Sequence, residues 1–189
     1  TLMVGRSGKR YVLGVDPNMS DSPTADYFAM SVMEIDDNTG QGTLVHTYAG
    51  LGSLNKHVKY LAYILQAFNI VFICLDNAGS DTYLDSCNES QFFKDAGINL
   101  KTIPLNSDAE GVEYQKTLKQ AKQKYNQENY QICFNQVFTS NFIRRANEYL
   151  QACIDYKKIW FASRTASNES FFNRSSSIRL PYPIKLIFI

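Results

Sequence analysis

No stretch of this chain approaches the ~20 consecutive apolar residues that a membrane-crossing helix needs. Its opening, TLMVGRSGKR, has no long apolar centre of the kind that marks a secretory signal. Histidine is scarce: His46 and His57 are the only two, and neither sits in a zinc-ligand spacing or a nucleophilic triad pattern. His46 reads as a strand residue and His57 as a helix-surface one. Cys74, Cys87, Cys133 and Cys153 show no CxxC spacing, and two of them lie inside apolar runs. They read as reduced core residues, which implies a reducing, cytoplasmic compartment. Nucleotide loops are missing too: GRSGK (5–9) lacks the GxxxxGK[ST] spacing and follows no strand, and there is no GxGxxG. The Asn-x-Ser matches at Asn18, Asn88, Asn168 and Asn173 read as chance in such a compartment.

What remains is a soluble, globular composition: 189 residues, 44% hydrophobic and 20% charged, enough for one domain with a real core. The net charge of +1 conceals a division. Residues 1–114 carry 7 Lys and Arg against 14 Asp and Glu, whereas residues 115–189 carry 12 against 4. An acidic half joined to a basic half suits a metal-binding site beside a polyanion-binding surface. Lys116, Lys119, Lys122 and Lys124 by themselves read as a solvated helix face.

The apolar pattern gives an ordered series of elements. YVLGVD (11–16) is a short, nearly continuous apolar run, as expected of a central strand. YFAMSVMEID (27–36) and TLVHTYAG (43–50) complete an antiparallel meander, with DDNTGQG (36–42) as the turn between them. Leu54, Val58, Leu61, Ala62, Leu65 and Phe68 then fall at helical spacing. A fourth strand, NIVFICLDNAG (69–79), ends on Asp76 and a glycine. The pattern continues with a helix over 82–95, a strand at 98–105, a lysine-rich helix over 110–127 and a short strand at 129–137. A Thr/Ser-capped helix over 139–155 presents Phe142, Ala146, Tyr149, Leu150 and Cys153 on one face. KKIWFAS (157–163) closes as a strand, and SFFNRSSSIRLPYP reads as a surface loop.

This order predicts an α/β fold of ribonuclease H-like type: a central mixed sheet, three antiparallel strands then parallel ones, with helices on both faces. In a meander the first and third strands point the same way, and a helical crossover then makes the fourth parallel to the first. If the fourth docks beside the first, Asp16 and Asp76 end neighbouring strands about 4.8 Å apart. Two carboxylates that close repel unless a cation lies between them. Mg²⁺ or Mn²⁺ is the expected cation, held by one or two carboxylates plus waters and substrate phosphate. A two-ion site of this kind hydrolyses phosphodiesters without a side-chain nucleophile. Asp26, at the start of the second strand, and Asp81 and Asp85, after the fourth, are additional ligand candidates. Asp81 and Asp85 compete with a capping role at a helix start, and Asp21 with a turn role.

At these residues the chain resembles a known family. YVLGVDPNMSDSPTADYFAMSVMEID is similar to the opening of the nuclease domain of the large terminase subunit of tailed bacteriophages. There a "GVDP" strand carries the first catalytic aspartate and a D-[YF]-[SF]-A segment begins the next strand. IVFICLDNAGSDTYLD resembles the family's second acidic segment, and TSNFIRRANEYLQACIDYKKIWFAS its later helix-then-strand. The likeness spans about residues 10–163. It implies a single nuclease domain over 1–189, the C-terminal part of a longer protein whose N-terminal packaging ATPase precedes it. It further implies a metal-dependent endonuclease cutting concatemeric double-stranded DNA, with a small terminase subunit and a portal protein as partners, in the cytoplasm of an infected bacterium. Asp16 takes the first acidic position and Asp76 the second.

One departure stands out. The family's third acid lies near the C-terminus, yet residues 164–189 contain only Glu169. The expectation is that the third ligand follows Ile189, where PIKLIFI reads as an unfinished strand; substitution by Asp81 or Asp85 is the alternative. DNA would be held through its phosphates by Arg144, Arg145, Lys157, Lys158, Arg164, Arg174 and Arg179, with little base readout. Three other readings compete. A Holliday-junction resolvase or transposase-like nuclease shares the fold, and a non-catalytic DNA- or portal-docking module survives the missing third acid. An actin-like ATPase would need glycine-rich phosphate loops that LGVDPNMSDSP lacks.

Overall fold

A computed structural model describes residues 2–17, 27–76, 80–105, 131–136, 139–157 and 159–161, together with isolated helical positions between 116 and 123. The meander is present: β1 (Arg10–Asp16), β2 (Phe28–Ile35) and β3 (Gly42–Gly50) pair antiparallel in sequence. Helix α1 (Leu54–Ala67) leads into β4 (Ile70–Asp76). Then come α2 (Ser80–Glu89), α3 (Gln91–Ala96), β5 (Leu100–Leu105), β6 (Gln131–Gln136), α4 (Ser140–Asp155) and β7 (Ile159–Phe161).

The seven strands form one mixed sheet in the order β5-β6-β4-β1-β2-β3-β7. β4 pairs parallel with β1, β6 with both β4 and β5, and β7 with β3. The fourth strand therefore docks where the geometry of the aspartates requires it. Strand order is not sequence order on that side, because β6 intercalates between β4 and β5.

Alternation along the strands sets two faces. Tyr11, Leu13 and Val15 of β1, Met30 and Val32 of β2, and Ile73 and Leu75 of β4 join one core cluster with Val58, Leu61 and Ile64 of α1 and Tyr83, Leu84 and Phe93 of α2 and α3. The connections β3–α1–β4 and β4–α2–α3–β5 run across the sheet in one direction, and β6–α4–β7 runs in the other. Right-handed crossovers therefore assign α4 to the face opposite α1–α3.

The expected helix over 82–95 is two helices. Ser90 breaks it: its side chain accepts from the Phe93 N–H, capping α3, and donates to the Cys87 carbonyl at 2.7 Å, closing α2. Gly97, at φ 65°, ends α3 in the left-handed conformation that glycine adopts without steric cost. His57 is a second correction. It is buried rather than helix-surface, stacked on Phe28 at 4.3 Å and hydrogen-bonded to the Tyr48 hydroxyl at 3.1 Å. On α4, Cys153 is buried and Phe142, Ala146 and Leu150 are half-buried, but Tyr149 is 64% exposed. Tyr149 thus leaves the apolar face expected for it. The lysine-rich helix over 110–127 lies mostly outside the described residues; Lys116 and Lys119 are helical and exposed, as a solvated face requires.

Candidate functional site

β1 and β4 both end on a carboxylate, and their register decides what that means. Gly14 lies opposite Cys74 and Val15 opposite Leu75, so Asp16 and Asp76 each follow by one residue. In-register neighbours on parallel strands project to the same side. Val15 and Leu75 belong to the helix-covered core, so both aspartates lie on the opposite face, at the same end of the sheet. Asp76 is buried and Asp16 half-buried.

The chain connections also diverge there. From the end of β1 the chain leaves toward β2, and from the end of β4 it leaves toward β5 on the other side. Ligands of open α/β sheets sit outside the carboxyl ends of strands where connections diverge in this way. Behind the carboxylates the floor is small and apolar. Gly14 and Cys74 lie side by side, and Phe134 of β6 comes next, stacked on Phe72 at 4.6 Å. Burial, and then the negative charge of Asp76, push the Cys74 thiol up to about 12. Such a thiol stays protonated and is a poor nucleophile, leaving the carboxylates as the reactive groups of this corner.

Two carboxylates aligned at neighbouring strand ends are hard oxygen donors, which fits Mg²⁺ or Mn²⁺ better than a thiophilic metal. Among the described residues no cluster of three or more His, Cys, Asp or Glu forms a cage. The pair is the set of strand-end carboxylates that the described residues bring together. Asp26 and Asp21 lie outside those residues. Asp81 sits in the first turn of α2 and is exposed, as is Asp85 one turn later. Asp81 follows β4 after a short connection, and its place in the helix's first turn matches the capping and dipole role.

The candidate DNA contacts are only partly in view. Arg144 is exposed, but its guanidinium is tied within α4 to Glu148 at 2.8 Å and to Asn141 at 3.0 Å. Arg145 is half-buried. Lys157 is exposed, just past the end of α4, and holds a left-handed φ of 53°. Lys158, Arg164, Arg174 and Arg179 lie outside the described residues.

Sequence reasoning passed over a second polar cluster. Glu34, in the core-facing register of β2 with Met30 and Val32, is buried and receives both the Arg6 guanidinium at 2.8 Å and the Tyr11 hydroxyl at 3.0 Å. Its signal was legible: period-two alternation places Glu34 inward, and an inward carboxylate needs a partner.

No protein-family model matches this chain, and no curated protein matches it.

Proposed function

We propose that this chain is a ribonuclease H-like, divalent-metal-dependent endonuclease domain acting on double-stranded DNA, of the type found in phage terminase large subunits. One observation carries the reading: β4 docks beside β1 in the register that brings Asp16 and Asp76 to the same end and face of the sheet. Asp16 and Asp76 would hold Mg²⁺ or Mn²⁺, the ions supplying charge neutralisation at the scissile phosphate and activation of the attacking water. Asp76 is buried and Asp16 half-exposed, so a phosphate would approach from the Asp16 side. The basic C-terminal half would grip the DNA backbone through phosphates, without reading bases.

Cleavage of supercoiled plasmid in Mn²⁺ tests the proposal. Wild-type protein should nick and linearise the DNA, and Asp76→Asn should lose at least about two orders of magnitude of that activity, the scale on which removing a positioned catalytic group acts. Cleavage that persists at the wild-type rate in both Asp16→Ala and Asp76→Asn would remove this site from the reaction. Binding of the plasmid without any cleavage would instead favour a docking module.

A further inference from the structure

The segment that precedes β1 runs along the sheet and helix α1, and its hold on them is unusual. The Leu2 N–H donates to the Val45 carbonyl at 2.8 Å and the Gly5 N–H to the Ala67 carbonyl at 2.8 Å. The Tyr63 hydroxyl donates to the Met3 carbonyl, and Arg6 reaches Glu34. The remaining tie is His46. One ring nitrogen, Nδ1, lies 2.7 Å from the Leu2 carbonyl, and the other, Nε2, lies 2.7 Å from the Tyr60 hydroxyl. A carbonyl can only accept, so Nδ1 carries the proton and Nε2 of the neutral ring accepts from Tyr60.

We propose that residues 2–9 form a proton-sensitive strap, latched by neutral His46 and released when that imidazole is protonated. This inference is independent of the nuclease reading. His46 is only 3% exposed, and both of its partners are uncharged. A second proton would place a cation between a carbonyl and a phenol, beneath Leu2 and beside Phe68, whose ring centroid lies 5.9 Å away. On the α1 side the ring meets Tyr60, whose hydroxyl it bonds, and the buried Phe68. Among the described residues the strap lies on the other side, and its Met3 and Val4 are 57% and 61% exposed. Water therefore reaches a charged His46 most easily by lifting the strap.

Burial lowers the proton affinity of His46, and the Leu2 carbonyl opposes this. The sign follows. Above the ordinary histidine range both open and latched forms are neutral, and the strap holds fully. As pH falls below about 6.5 the open form takes up a proton that the latched form resists, so the latch weakens progressively. The other titratable groups facing this region are Tyr60 and Tyr48, both raised by burial, Tyr63, His57 behind Tyr48, and the Arg6–Glu34–Tyr11 cluster.

Hydrogen exchange of the Leu2 and Gly5 amides between pH 7.5 and 4.5, corrected for intrinsic exchange, reads the latch in the 189-residue chain. We expect wild-type protection to fall at least tenfold while the amides of β1 and β4 remain protected. His46→Asn keeps a donor for the Leu2 carbonyl but cannot titrate, so its strap protection should be flat across that range. Glu34→Gln should retain the wild-type response, separating His46 from the carboxylate. Tyr60→Phe, which deletes one hydroxyl and so spares the fold, should alter the pH at which protection falls. A wild-type strap with constant protection, or an unchanged response in both His46→Asn and Tyr60→Phe, would overturn the proposal.

Discussion

Asp16 and Asp76 illustrate a conflict that a single residue can carry between stability and activity. Two carboxylates at neighbouring strand ends repel whenever no cation lies between them. Asp16→Asn removes that repulsion while keeping the shape of the side chain. In EDTA we therefore expect Asp16→Asn to unfold at a higher temperature than the wild type. Adding Mn²⁺ should reverse the order, because an ion bound only by the folded state stabilises the wild type and finds half of its carboxylates missing in the variant. Thermal scans with and without Mn²⁺ decide the matter, and equal Mn²⁺-induced shifts in the two proteins would mean that Asp16 holds no ion. The aspartates were legible because each closes an apolar run, and a charge there needs a reason. His57 was not: a polar residue at helical spacing reads as solvent-facing, and only the ring of Phe28 and the hydroxyl of Tyr48, both distant in sequence, give it an interior home.

At the scale of the element, local signals were read best where periodicity ran unbroken. Of the stripe Leu54, Val58, Leu61, Ala62, Leu65 and Phe68, Leu54 and Leu65 are half-buried against the core and the other four are buried. Thr139 caps α4 by accepting from the Phe142 N–H at 3.1 Å. The division of α2 from α3 escaped notice because Ser90 is an ordinary helix-surface residue by composition. Its role comes from hydrogen bonds to both sides of the break, and these depend on the backbone bending there. Ser90→Ala should therefore weaken two helix ends at once. We expect a loss of about 1–2 kcal/mol, the upper range for a single cap, measured as a lower denaturation midpoint at unchanged slope. A loss below a few tenths of a kcal/mol would show that the packing of Phe93, not the cap, holds the break in place.

Across the whole molecule, the parallel direction of β4 and β1 followed from chain direction and crossover geometry and their adjacency from the paired aspartates, whereas nothing pointed to the intercalation of β6 between β4 and β5. Nothing in the apolar run of residues 131–136 distinguishes an inner strand from an edge strand, since both faces of either can be covered. The charge division is also a property of the whole chain, and it places β1–β5 with their carboxylates in an acidic half and β6, α4 and β7 in a basic one. On the proposed function, an acidic site approaching a polyanion would depend on the basic half to bring the DNA in. Affinity should accordingly fall steeply with salt, each phosphate contact contributing a slope of about 0.9 in log K against log salt. Arg144 and Arg145 adjoin on α4, but Arg144 is already engaged by Glu148 and Asn141 within the helix. Holding the DNA would require it to exchange those exposed partners, which contribute little to stability. Replacing both arginines by alanine should lower the salt slope by at most about 2 and weaken binding equally for unrelated duplex sequences. Fluorescence anisotropy over a salt series measures both quantities. An unchanged slope would move the DNA surface away from α4, and a loss confined to one sequence would mean that this helix reads bases.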